Sequence, residues 1–118
     1  MTVKDIIRIL DAELLCCESS QDIELHSACG SDLMSDVLAS VKDQALLLSG
    51  LVNPQVIRTA ELLDIHCIIF VRGKSPGRDM IELAEHAEII LAGTKLSMFL
   101  ACGKLYEAGL RTGGTRII

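Results

Sequence analysis

Five cysteines, three histidines and a recurring set of Gly, Ser, Thr, Asp and Lys residues carry the chemistry open to this 118-residue chain. The cysteines are Cys16, Cys17, Cys29, Cys67 and Cys102, an odd number with no CxxC pair. Cys67 and Cys102 lie in strongly apolar segments, where a free cysteine behaves as a small hydrophobe. Cys16, Cys17 and Cys29, with His26 close by in sequence, could converge on a metal or redox centre. Their spacing matches no common zinc or cluster template. No cofactor and no metal ligand are expected.

Catalysis needs a nucleophile or an acid–base pair in mutual reach. Ser31, Asp32, Ser49, Lys74, Thr94, Lys95 and Ser97 supply the functional groups, and His26 and His86 supply possible bases. These residues form no recognised arrangement. Ser49 precedes Gly50, but no GxSxG elbow surrounds it. GxGxxG and the phosphate-loop lysine motif are both absent, so a Rossmann or P-loop nucleotide site is not supported.

The elements that position these residues follow from periodicity. Residues 3–10 have helical spacing at Val3, Ile6, Ile7 and Leu10, with Thr2 as N-cap. Residues 12–17 and 23–29 read as strands, too close in sequence for a parallel crossover. A turn joins them, or they belong to different layers. A regular rhythm follows. Helices are expected at 31–41, 53–64, 77–87 and 94–110, and strands at 44–50, 66–73 and 88–93. Ser31 and Asn53 are the expected N-caps of the first two of these helices, and Pro54 fits the first position of the second. Leu33, Val37, Leu38 and Val41 are expected to face inward from the helix at 31–41. From the helix at 77–87, Met80, Ile81, Leu83, Ala84 and Ala87 should do the same. Continuous apolar strands alternating with helices imply parallel strands covered on both faces. The expected fold is a single three-layer α/β/α domain over residues 1–110. It has a mostly parallel central sheet of four to five strands and a glycine-rich tail at 111–118.

Each main strand ends in a glycine, Gly30, Gly50, Gly73 and Gly93, at intervals of 20, 23 and 20 residues. A polar residue follows three of them directly, Ser31, Lys74 and Thr94, while Leu51 and Val52 separate Gly50 from Asn53; a helix start follows each. The four loops share the rim at the carboxyl ends of the strands, where open α/β sheets bind ligands. Tight turns alone would also explain the glycines. The candidate ligand-binding residues are Gly30, Ser31, Asp32, Ser49, Gly50, Asn53, Gly73, Lys74, Gly93, Thr94 and Lys95, with Lys74 and Lys95 as the anion contacts. Asp32 and Asp36 stand one helical turn apart and suit the positive end of a helix.

Composition excludes several classes. The net charge is −5 and the aromatics are two Phe and one Tyr, with no Trp. Nucleic-acid binding, which needs a basic patch and stacking rings, is not expected. No apolar run approaches the ~18 residues of a membrane span. Asp5 and Arg8 interrupt the first apolar segment, so it does not read as a signal peptide. A cytoplasmic location is expected. The last helix is apolar nearly all round, which suggests burial on more than one side. A homodimer is expected through Leu96, Phe99, Leu100, Gly103 and Tyr106. Gly109 reads as that helix's C-cap. In the tail, Ile117 and Ile118 either pack on a neighbour or stay disordered.

The order of elements, and the run from Ala45 to Leu110, resembles the DRTGG domain; the amino-terminal domain of bacterial HPr kinase/phosphorylase is similar in fold. "RGKSP" resembles the family's Thr-Gly-Gly-x-x-Pro loop, with Gly73 and Pro76 in register. "AGTKLSMF" resembles its last strand's Asp-Thr turn, with Thr94 in register. "SGLVNPQVIRTA" stands where the family carries Gly-Asp-Arg. The namesake Asp-Arg would fall near Val52 and Asn53 and is absent, and Val71-Arg72 replace the first two loop residues. The literal "RTGG" at 111–114 lies past the last helix, out of register. Family members are mostly appended to CBS pairs, phosphotransacetylase or amidotransferase-like synthetases. The resemblance implies a free-standing regulatory, ligand-sensing or assembly module rather than a catalyst. Such a module would bind a small anionic metabolite or nucleotide at the rim, dock to a partner enzyme, or both. The alternatives are a small enzyme acting on a phosphorylated or acyl substrate and a cysteine-based metal or redox accessory protein.

Overall fold

The computed structural model describes residues 1–18, 21–40 and 45–112. Among the described residues, ten elements follow one another: α1 (Val3–Leu10), β1 (Glu13–Cys16), β2 (Ala28–Gly30), α2 (Met34–Ser40), β3 (Leu46–Ser49), α3 (Pro54–Leu62), β4 (Cys67–Phe70), α4 (Arg78–Ala87), β5 (Ile90–Gly93) and α5 (Met98–Glu107). The five strands form one sheet in the order β1-β5-β4-β3-β2. β2 to β5 are parallel, and β1 runs antiparallel along β5. The three-layer α/β/α architecture is as the sequence implies.

Two apolar cores hold the layers. Met34 and Val37 of α2, Val56 and Ala60 of α3, and Met80 and Ala84 of α4 cover one face through Leu47, Ile68, Phe70 and Leu91. Val3, Ile6 and Leu10 of α1, with Ala101 and Leu105 of α5, cover the other through Leu46, Leu48, Ile69, Ile90 and Ala92. β3 and β4 are buried along their whole length, which is why they are unbroken apolar runs.

The caps follow the local chemistry. The Thr2 hydroxyl accepts from the Asp5 N–H at 3.2 Å, while the Asp5 carboxylate accepts from the Thr2 N–H at 3.0 Å. Asn53 accepts from the Gln55 N–H, with Pro54 opening α3. Gly109, at φ +118°, follows the Ala108 C-cap of α5.

Several expectations are corrected. β1 and β2 are neither a hairpin nor in different layers; they form opposite edges of one sheet. Backbone bonds from Val3 to Ile23, from Lys4 to Gln21 and from Leu25 to Met1 guide the connecting chain along α1. Only Ala28 and Cys29 of the 23–29 segment join the sheet ladder, and the strand runs one residue further, to Gly30. α2 starts at Met34, because the Ser31 hydroxyl makes a local turn with the Leu33 N–H rather than capping the helix. That start turns Met34 and Val37 inward and leaves Leu33 57% and Leu38 42% exposed. Leu83 also reaches solvent. α5 starts at Met98 and is capped by Ser97, so Thr94 belongs to a turn rather than to the helix. Val41, Ile117 and Ile118 lie outside the described residues.

Candidate functional site

The rim at the strand carboxyl ends divides into a stitched half and an open half. In the stitched half, Asp32 ties together the loops after β2, β3 and β4. One carboxylate oxygen accepts from the Gly50 N–H at 2.6 Å and from the Ser49 hydroxyl at 3.4 Å. The other accepts from the Arg72 guanidinium at 3.0 Å. Ser49 Oγ also accepts from the Leu51 N–H. The Gly50 N–H, the Arg72 guanidinium and the Ser49 hydroxyl all favour the ionised carboxylate and hold the Asp32 pKa below its ordinary value, against a smaller opposing effect of burial.

The Arg72 guanidinium lies against Gly50. A Cβ at Gly50 would stand 2.8 Å from Arg72 Cζ and closer still to Nη2. The glycine permits this close approach and is not there for an unusual φ. Arg72 itself has φ +60°, and Gly73 follows at +69°. Two successive left-handed residues turn the chain sharply out of β4.

The open half lies between β4 and β5. The loops after β2, β3 and β4 all lead to helices on one face. The loop after β5 leads to α5 on the other. Adjacent strands whose following helices leave to opposite faces form the switch point of an open α/β sheet, where a crevice opens. A cavity of about 360 Å³ lies there, lined by the Gly73–Ser75 and Gly93–Leu96 loops. Leu10, Asp11, Glu13 and Leu15 form the facing wall. β1 contributes because its antiparallel course puts Glu13 opposite Gly93. The volume suits a small molecule, whose sites span about 300–1,000 Å³.

Of the residues expected at the rim, Gly73, Lys74, Gly93, Thr94 and Lys95 line this groove together. Lys74 and Lys95 are exposed and face the same cavity as Asp11 and Glu13. Thr94 is buried. Its hydroxyl donates to the Leu10 carbonyl at 2.8 Å and accepts from the Leu96 N–H at 3.3 Å, so it fastens the groove floor to α1. Asp32, Ser49 and Gly50 belong to the stitched half. The Asn53 side chain is engaged in its cap, and Ser31 in the turn before α2. Gly30 faces α5 instead, where a Cβ would stand 2.9 Å from Met98 Sδ and 3.1 Å from Cys102 Sγ.

On α5, Phe99 is 84%, Leu100 50% and Tyr106 59% exposed; Leu96, in the turn before the helix, is half-buried. Phe99, Gly103 and Tyr106 recur at i, i+4 and i+7 along one outward stripe. Cys16 and Cys17 sit on the β1 edge and Cys29 on the β2 edge, so the three do not converge. His26 and His86 are exposed, and His86 is in the last turn of α4.

Arg72, Asp11 and Glu13 are the rim residues that sequence reading passed over. Arg72 stands two residues past the end of β4, as Asp32 does past β2. Asp11 and Glu13 reach the rim only because β1 is antiparallel, which residue spacing does not reveal. An Asp–Arg pair thus does occur at the rim, assembled from two distant loops.

The fold and rim define a three-layer α/β module with a small-molecule-sized groove at its switch point. No protein-family model matches the sequence, and no curated protein matches it. Among solved structures, it is similar to the CBS and DRTGG domains of the regulatory region of Clostridium perfringens pyrophosphatase, complexed with the activator diadenosine tetraphosphate. The TM-score is 0.73 at 17% identity, over 88% of this chain and 45% of that chain. The chain spans less than half the length of that structure. The likeness is one of fold.

Proposed function

We propose that this protein is a regulatory, ligand-sensing module rather than a catalyst, and that its ligand occupies the groove between the ends of β4 and β5. The observation that carries the reading is the coincidence of the switch point with a cavity lined by Lys74 and Lys95. The fold shared with a pyrophosphatase regulatory region supports it.

The groove is not uniformly basic. Two lysines oppose two carboxylates, so a simple anion gains from one wall and loses on the other. A ligand with anionic groups at one end and hydroxyl or amino donors at the other matches both walls. Nucleotides have that form: Lys74 and Lys95 would take the phosphates, and Asp11 and Glu13 would accept from ribose hydroxyls or a base amine. The stitched half of the rim would hold the groove rigid. The apolar stripe of α5 would carry the signal to a second copy of the chain or to a partner enzyme.

Amide chemical-shift mapping tests the placement. Titration with adenosine nucleotides should move the resonances of Gly73, Lys74, Ser75, Lys95 and Leu96 and leave those of α2 and α3 in place. Shifts confined to other surfaces would remove the groove from consideration.

A further inference from the structure

Side chains of consecutive residues in a strand point to opposite faces. Cys16 and Cys17 break that rule. The register of β1 on β5 slips between Leu14 and Cys16, and Cys17 turns into the left-handed region at φ +64°. The result is two sulfurs 3.4 Å apart. Both thiols donate to one carbonyl oxygen, that of Ile89, at 3.3 and 3.2 Å. A non-glycine residue in that region at a strand end is a feature from which a role can be inferred. Both cysteines are partly exposed on an edge strand, so a small reagent reaches them.

We propose that Cys16 and Cys17 form a dithiol site for trivalent arsenic, a pyramidal thiophile that holds two sulfurs close together on one atom. A linear two-coordinate ion would instead need them on opposite sides. Among the described residues, no third cysteine, histidine or carboxylate joins the pair to complete a metal shell. A ligand satisfied by two sulfurs is thus the better match. The step exchanges ligands with no change of oxidation state. Arsenous acid, As(OH)3, forms two As–S bonds, two As–O bonds break, and each departing hydroxide leaves as water with one thiol proton. The neighbouring sulfurs make the chelate ring short, so little chain entropy opposes closure.

The surroundings separate this site from an ordinary reactive cysteine. Burial foremost, then Cys16, Glu85 and Glu88, push the Cys17 thiol up to about 12. Alkylation of Cys17, which needs the thiolate, is therefore slow at neutral pH.

Phenylarsine oxide, which consumes two thiols and releases one water, tests the site on the full chain. The expected result is one equivalent bound per chain by intact mass. The unfolded protein's count of titratable thiols should fall from five to three. Cys16→Ser and Cys17→Ser should each weaken binding at least tenfold, while Cys29→Ser leaves it unchanged. Circular dichroism checks that each variant is folded. Binding that survives in Cys16→Ser, or that is lost in Cys29→Ser, would overturn the assignment, as would the absence of binding to the wild-type chain.

Discussion

The Asp32 carboxylate and the Arg72 guanidinium meet at 3.0 Å across the end of β3, each from a loop that leaves a different strand. Asp32 also accepts the Gly50 N–H, so one carboxylate fixes three loops. Asp32→Asn removes the charge from these bonds. The pair is about half exposed, which limits its worth. The expected loss is about 1–2 kcal/mol by urea unfolding at pH 7, most of it from the bond to Gly50.

The same residue sets an acid limb. Its folded pKa lies below its ordinary value, so its stabilisation is fully present above about pH 4 and fades as pH falls through the lower folded value. Asp5, lowered chiefly by the Thr2 backbone N–H, acts in the same direction. Unfolding free energy measured from pH 6 down to pH 2 should decline in the wild type and decline less steeply in Asp32→Asn. Parallel curves would contradict the assignment.

Gly50→Ala places a methyl where the Arg72 guanidinium lies. The obstacle is the end of a flexible side chain, so Arg72 should swing away at a cost of no more than about 1 kcal/mol. In an Arg72→Ala background the same substitution should be close to neutral. A double-mutant cycle by denaturant titration checks this, and equal costs in both backgrounds would contradict it.

Thr94→Val keeps the shape and deletes the hydroxyl. The Leu10 carbonyl and the Leu96 N–H then lose a partner beside a buried residue. The expected cost is about 1–3 kcal/mol in denaturant unfolding, with native secondary structure retained in circular dichroism.

Most of the fold was legible because its signals are local. Thr2 and Asn53 are caps, Pro54 opens a helix, and β3 and β4 are unbroken apolar runs. What failed was set by one local competition and by pairing at a distance. Ser31 has the chemistry of a helix cap but spends it on a turn, and that turn rotates Leu33 and Leu38 to solvent. The loops that carry the candidate rim residues do lie at the carboxyl ends of the strands. Which of them share a cavity depends on α5 leaving to the opposite face from α4, and on β1 running antiparallel. Neither can be read from residue spacing. Arg72 looked only like a departure from a family loop, because its partner Asp32 lies two strands earlier.

The outward stripe of Phe99, Gly103 and Tyr106 should mediate self-association. Phe99 is 84% exposed, so Phe99→Glu should leave the fold intact. Analytical ultracentrifugation should find a dimer for the wild type and a monomer for the variant. A monomeric wild type at about 100 μM would contradict a dimer held by an interface of ordinary affinity.

The most direct test of the central claim is thermal unfolding with and without adenosine nucleotides, including dinucleoside polyphosphates, on the wild type and on a Lys74→Ala/Lys95→Ala double variant. Both lysines are exposed, so the variant should melt close to the wild type. At ligand near one hundred times Kd, the wild-type Tm should rise by on the order of 10 °C. The double variant should lose most of that rise. An unchanged wild-type Tm with every nucleotide, or an equal rise in the variant, would contradict a sensing groove at the ends of β4 and β5.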